Sequence, residues 1–445
     1  MTITRLLILA AVTAVGATAT AATPAWLEND SAAAIKSRIR ADFPWTFDEF
    51  AERARQHDPS LTRATIDTLI LNNYVETMVI DDTVRVFRKG LRNLYYLDPA
   101  RNEGWHHRGA NPGERRLSYV DSVIDWSRGT NPTGGAHRVH YRFSVAVPYH
   151  EAIAGDTLRV WMPVPMNTAR QSNFRLLNAS QPGYVMSDGR SVHNTIYFEG
   201  PAPAPGDTAR FSYEAEFTTA GQFFPEEYIL ANLKPYDKNS ELYKKYTAVE
   251  APHIVNLPSL ARAIAGDETN PYRISEKVFD FISNFPWAGA REYSTIDCIP
   301  TYVLHEGHGD CGQVSLLYIS LMRTLGIPAR WESGWMIHPG EKNFHDWAEV
   351  YFEGIGWVPV DTSFGRYSTG KRRETVGFYS HGMDAHRFAT NQGIAGELYP
   401  PKRYVRSETV DFQAGEVETG RGNLYWPGWD SHLELISVTP VEKQP

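Results

Sequence analysis

Three residues stand in an order that could break an acyl bond. Cys311 lies in GHGDCGQ, His345 opens HDWAEVYF, and Asp361 closes WVPVD. A thiol attacks a carbonyl once a base within hydrogen-bond reach has taken its proton, and the base needs an acid that holds its tautomer. Cysteine, histidine and aspartate fill these roles: Cys311 as nucleophile, His345 as base, Asp361 as orienting acid. Taken singly, each has an ordinary explanation as a buried thiol, a packing ring or a turn carboxylate. Their joint order points to chemistry.

The elements that must position them are visible in the same segments. Val314, Leu317, Tyr318, Leu321 and Leu325 recur at helical spacing, and Gly326 and Pro328 follow. A buried helix is therefore expected from about Cys311 to Leu325. Cys311 then sits at the positive end of the helix, which favours thiolate. Gly309 and Gly312 leave room for a substrate backbone, and the Cys311 N–H can donate to an oxyanion. HDWAEVYF reads as a strand, EGIG as a turn and WVPVD as a second strand. A plain four-residue turn pairs Phe352 with Trp357 and sets Asp361 opposite Ala348. A bulge or a diagonal contact is needed to bring it to His345.

Gly309–Cys311 at a helix start, His345–Trp347 on one strand and Trp357–Asp361 on the next resemble the transglutaminase-like superfamily of bacteria. The resemblance covers the third domain, residues 269–400, whose end, GFYSHGMDAHRFATN, is also similar. It implies a papain-like core, the roles given above for the three residues, and no cofactor. It does not fix the reaction, because members include cross-linkers, peptidases, amidases and inactive copies. The expected function is thiol-dependent acyl transfer or hydrolysis at peptide or carboxamide bonds through a Cys-acyl intermediate, with hydrolysis favoured and a protein or peptide as substrate. The alternative is a non-catalytic envelope binding or scaffold protein that keeps the fold.

His305, His308, Asp310 and Cys311 in HEGHGDC could ligate zinc, but the helical pattern H-E-x-x-H requires histidine at Gly309, so no metal is expected. Cys298, the second of two cysteines, is expected to be a free buried thiol rather than a partner masking Cys311. Glu408, Asp411, Glu416 and Glu418 are expected on a solvated face rather than around calcium. Trp331, Trp335, Trp347 and Trp357 are expected mostly in the core, with one or two walling the acyl groove.

The chain of 445 residues has room for several domains. Residues 1–22 read as a signal peptide, with Arg5 before an apolar run too short to span a bilayer. No later segment is long enough to span one, so a periplasmic or secreted protein is expected. A net charge of −8 with no basic tract argues against a nucleic-acid partner. Residues 23–135 read as a helical N-terminal region resembling a winged helix in outline, ending in an extended connector over 98–135. Period-two alternation over 136–222, as in Val139, Tyr141, Phe143 and Val145, predicts an antiparallel β-sandwich. A helical linker over 223–268, the catalytic domain over 269–400 and a C-terminal extension over 401–445 packing on the core complete an α+β chain.

Overall fold

The computed structural model describes residues 24–101, 113–127, 132–370 and 372–441. The signal peptide expected over 1–22 lies outside them. The N-terminal region runs β1 (Leu27–Glu28), α1 (Ser31–Asp42), β2 (Trp45–Thr46), α2 (Phe47–His57), α3 (Arg63–Leu71), β3 (Thr77–Ile80), β4 (Thr83–Val86) and α4 (Gly90–Leu97). Thr46 and Glu49 form a capping box that starts α2. β3 and β4 turn at Asp81 and Asp82, with φ of 49° and 61°, the left-handed pair that a two-residue hairpin requires. Phe50, Ile66, Leu69, Val75 and Leu94 close a small core of their own.

The stretch expected to be an extended connector contains a helix, α5 (Gly113–Trp126), which buries Val120, Val123 and Ile124. Its short apolar stripe is hidden in the sequence by surrounding Gly, Arg and Asn. Six strands follow: β5 (Thr133–Pro148), β6 (Thr157–Pro163), β7 (Gln171–Ala179), β8 (Val185–Met186), β9 (Thr195–Pro201) and β10 (Thr208–Phe223). β5 and β10 pair antiparallel along almost their whole length. Their alternate residues Val139, Tyr141, Phe143, Phe211, Tyr213 and Phe217 point into a shared core, as period-two burial demands.

The core that carries the site runs α6 (Glu226–Asn232), α7 (Glu241–Thr247), α8 (Pro258–Ala265), α9 (Pro271–Ser283), α10 (Ile299–Glu306), α11 (Cys311–Thr324), β11 (Ala329–His338), β12 (Glu341–Phe352), β13 (Gly356–Val360), α12 (Arg373–Val376), β14 (Gly382–Met383) and β15 (Arg387–Asn391). Its sheet has the order β13-β12-β11-β15, and α11 packs on β12. Val314, Leu316, Leu317, Ile319, Leu321 and Met322 are all fully buried. At about 1.5–3 kcal/mol for each large apolar side chain removed from water, they anchor α11 on every side and make its first turn a fixed platform.

Three strands end the described chain: β16 (Glu416–Glu418), β17 (Asn423–Leu424) and β18 (Asp430–Pro440). The C-terminal extension meets the core through Val410 and Gln413 and also completes the sandwich. One sheet has the order β1-β17-β16-β6-β9-β8, the other β14-β10-β5-β18 with β7 also on β10. The physical reason is edge pairing: β5 and β6 would otherwise each present a row of unpaired backbone groups. The architecture is α+β.

Candidate active site

Cys311 is the first residue of α11. Asp310 caps the helix, accepting from Gln313 N–H at 3.0 Å, while Gln313 returns a bond to Asp310 N–H at 3.1 Å. This capping box fixes the angle at which the chain enters the helix. Gly312 is required by space: a Cβ there would lie 2.3 Å from Tyr293 Oη and 2.6 Å from Asp346 Oδ2. The Tyr293 hydroxyl donates to Asp310 Oδ1 at 2.6 Å. Tyrosine and carboxyl thus press against the helix start beside the sulfur.

His345 lies on β12, and its Nε2 is 2.7 Å from Asp361 Oδ2. The register differs from the expected one. Phe352 pairs with Gly356, not Trp357, so a three-residue loop joins the strands and Ala348 faces Val360. Gly356 has φ 105°, a conformation that favours glycine. The ladder runs without a bulge from Ala348 to Phe352. Asp361, one residue past Val360, therefore falls level with Trp347 and reaches His345 two residues along the same face, a diagonal contact. Asp361 Oδ2 also accepts from Arg387 Nη2 at 3.2 Å, and Oδ1 accepts from Ser363 N–H at 3.1 Å. Burial pushes this carboxyl up, but His345 and Arg387 outweigh it and hold Asp361 below its usual value as a carboxylate.

The thiol has a second neighbour that the sequence did not suggest. Cys311 Sγ donates to Asp346 Oδ2 at 3.4 Å. Burial, then Asp346 and Asp310, push the thiol well above its usual value. Burial and the two carboxyls thus act against the ionisation expected at the helix end. Asp346 is itself pushed up by burial and by Asp411 and Asp310. Gln413 holds this strand start, donating to His345 O at 3.1 Å and Asp346 Oδ1 at 2.7 Å. Behind it, Trp347 Nε1 donates to Glu332 Oε2 at 2.5 Å, and Arg170 pairs with the same buried glutamate.

Cys311, His345 and Asp346 line one cleft of about 480 Å³. Its aromatic wall is Trp287, Tyr293, Phe344, Phe364 and Trp426, none of them among the four tryptophans flagged in the sequence. Trp331, Trp335 and Trp347 are buried in the core, and Trp357 stacks under Arg330 at 4.0 Å. Arg88 and Lys89 reach the cleft from the N-terminal region. Cys298, half-buried rather than buried as expected, stands at the N-cap position of α10 without a side-chain cap bond, and both cysteines are free. His305 pairs with Glu306 at the surface at 2.9 Å. The acidic run expected on a solvated face is buried: Glu416 accepts from Ser407 and Glu408 N–H, Glu418 pairs with Arg159, and Lys402 lies between the two glutamates. Basic residues distant in sequence make that burial tolerable.

Residues 258–362 match the family described as the transglutaminase-like superfamily. This segment is a transglutaminase-like domain. The YebA protein of Bacillus subtilis (strain 168) is 27% identical over 150 residues, which cover 29% of this chain and 20% of YebA. The match thus spans about a fifth of that relative's length. Among solved structures, a candidate cysteine protease from Cytophaga hutchinsonii covers 70% of this chain and 96% of its own at 15% identity, with a TM-score of 0.45. The periplasmic domain of TgpA from Pseudomonas aeruginosa covers 55% and 91% at 13% identity, TM-score 0.27. Red sea bream transglutaminase covers 65% and 59% at 9% identity, TM-score 0.25. The transglutaminase-like domain begins with α8 and ends just past Asp361, so it contains Cys311, His345 and Asp361. The sandwich, the N-terminal region and Gln413 lie outside it.

Proposed function

We propose that the protein is a cysteine acyl-transfer enzyme acting on peptide or carboxamide bonds, and that hydrolysis outweighs transfer to an amine. The observation that carries this reading is the 2.7 Å contact of His345 Nε2 with Asp361 Oδ2 in the wall of the cleft that Cys311 opens into. Asp361 occupies Nε2, which leaves Nδ1 as the ring nitrogen that can take a proton. The thiol proton passes to His345 Nδ1 and the sulfur bonds to the carbonyl carbon. The Cys311 and Gly312 N–H groups at the start of α11, which have no acceptor within the helix, receive the oxyanion, since the Gln313 N–H is held by Asp310. His345 returns the proton to the leaving amine as the C–N bond breaks, giving a thioester. Water then adds to the thioester, its proton goes to His345 and on to the departing sulfur, and the acid is released. Arg88, Lys89, Arg116, Asp310 and Asp411 in the cleft wall keep water at the thioester, which supports hydrolysis over amine transfer. The apolar N-terminal run supports action outside the cytoplasm.

A second reading rests on the thiol's bond to Asp346. A thiol that donates to a neighbouring carboxyl suits a binding or scaffold protein. Iodoacetamide separates the two. A catalytic Cys311 is alkylated more slowly once His345, the base that takes its proton, is replaced by alanine, whereas a scaffold thiol labels at an unchanged rate. The direct test incubates the protein with a peptide library and with a dansyl-cadaverine amine plus a glutamine-rich protein. New cleaved ends are expected, with little label incorporated, and Cys311→Ala should abolish both. Full activity in Cys311→Ala would sink the assignment.

A further inference from the structure

Outside the cleft, three buried side chains converge where β11 ends and the β14–β15 turn begins. His338 Nε2 lies 3.1 Å from Asp384 Oδ1, and His386 Nδ1 lies 3.6 Å from the same oxygen. One ligand atom from each of the three falls within 4.8 Å of the others. All three residues are buried, at 3%, 0% and 4% exposure. We propose that His338, Asp384 and His386 bind a single divalent transition-metal ion of the zinc type.

Two of the three ligand spacings suit such an ion, and the third lies within 4.8 Å. Ligand atoms about 2.0–2.1 Å from a tetrahedral zinc stand roughly 3.4 Å apart, and the two contacts to Asp384 Oδ1 bracket that value. A simple hydrogen-bonded cluster accounts for less. It satisfies His338 Nε2 but leaves His386 Nδ1 buried with no partner, since 3.6 Å is too long for a good bond. An ion seated between the three removes that vacancy at a buried polar nitrogen, which is otherwise costly. Two imidazoles and one carboxylate favour zinc, cobalt or nickel over magnesium or calcium, which prefer all-oxygen shells.

The surroundings orient the set. Asp384 Oδ2 accepts from Tyr379 Oη at 2.8 Å and pairs with Arg387 Nη2 at 3.0 Å, and Oδ1 accepts from His386 N–H at 2.8 Å. Such outer partners fix a ligating carboxylate. The Tyr119 ring stacks on His338 at 5.5 Å and lies 4.4 Å from His386, roofing the site. A cavity of about 350 Å³ lined by Tyr119, His137 and His386 gives access. His137 is 5.0 Å from His386, ring to ring, and its Nδ1 is buried without a partner. It is the side chain placed to complete the shell. The site also bears on the cleft, because Arg387 spans Asp384 and Asp361.

The test is a Co²⁺ titration of the chelator-treated full chain, followed by visible absorption, with Zn²⁺ competition read by isothermal titration. One ion per chain is expected, with tetrahedral d–d bands and no sulfur-to-metal band. His386→Asn and His338→Gln should each weaken binding at least about 100-fold, the upper end of what loss of an outer-shell partner alone does, while Cys311→Ala leaves it unchanged. Absence of stoichiometric binding in the unmodified chain would overturn the proposal. So would a thiolate band that locates the ion at a cysteine, or equal affinity in His386→Asn. The titration of the unmodified chain decides the matter even where a variant fails to fold.

Discussion

Replacing Asp361 by asparagine isolates what its carboxylate does. Every neighbour of that fully buried group is a donor: His345 Nε2 at 2.7 Å and Arg387 Nη2 at 3.2 Å on one oxygen, Ser363 N–H at 3.1 Å on the other. Asparagine keeps the shape but offers one oxygen and one NH₂. With the NH₂ toward Ser363, two donors face each other, a cost of about 1–3 kcal/mol. With the NH₂ toward His345, the ring must accept at Nε2 and carry its proton on Nδ1, which removes the base. In either orientation the imidazolium formed during the reaction loses its counter-charge. The same substitution in a Ser-His-Asp triad lowers kcat about 10⁴-fold, so a loss of roughly 10³–10⁴ is expected here, or about 4–5 kcal/mol of barrier. Arg387 keeps Asp384 at 3.0 Å, so the stability loss should stay near 2–4 kcal/mol rather than that of a stranded buried charge. The assay is steady-state cleavage of the best library peptide, with the alkylation rate of Cys311 measured across pH. KM should change little while kcat collapses and neutral-pH alkylation slows. A variant that retains more than about a tenth of kcat, with an unshifted alkylation profile, would refute the argument, since a tenfold loss is worth only about 1.4 kcal/mol.

Gly312→Ala should destabilise the fold by up to about 2 kcal/mol, because overpacking costs about 1–3 kcal/mol and the helix-propensity gain is only about 1 kcal/mol. Urea midpoints read the loss, and a slower Cys311 alkylation should accompany it as Asp346 is displaced. A more stable variant with unchanged alkylation would show that Tyr293 and Asp346 yield freely. Glu276 on α9 offers a pH test. Burial pushes its carboxyl up, but His381 and Arg366 pull it from 4.5 down to about 2, with Arg366 Nη2 at 2.7 Å. A folded value below the unfolded one stabilises above pH 4.5, and that stabilisation is lost as pH falls from 4.5 toward 2. Glu276→Gln should therefore cost about 3 kcal/mol at pH 7, and denaturation curves should show the gap narrowing below pH 4.5. An equal gap at pH 7 and pH 3 would dismiss the ion pair as the cause.

What the sequence made legible follows from range. The α11 helix and its termination and the alternation of β5 and β10 are all set by neighbours a few residues apart. The order Cys311, His345, Asp361 was readable because Cys311 starts a helix, Asp361 follows a strand and His345 lies on the neighbouring strand, four residues after its first residue. The register of β12 and β13 was not, because the conformation of Gly356 decides between a three- and a four-residue loop, and both leave the same apolar pattern. The thiol's surroundings were illegible for a different reason. Tyr293 and Gln413 come from segments well away from Cys311 in sequence, and Asp346 is simply the residue between His345 and Trp347 until the fold brings it to the sulfur. The burial of Glu418 likewise depends on Arg159, more than 250 residues away. No local pattern reports such a partner.

The pairing of β18 with β5 has a consequence for how the chain comes into being. Thr439 and Arg138 are partners, as are Leu433 and Phe143, so the sandwich cannot close until about 300 intervening residues have been synthesised. Gln413, which steadies His345 and Asp346, lies within that same late stretch. A nascent chain therefore carries its thiol, ring and carboxylate long before it carries the strand and the loop that lock them in place.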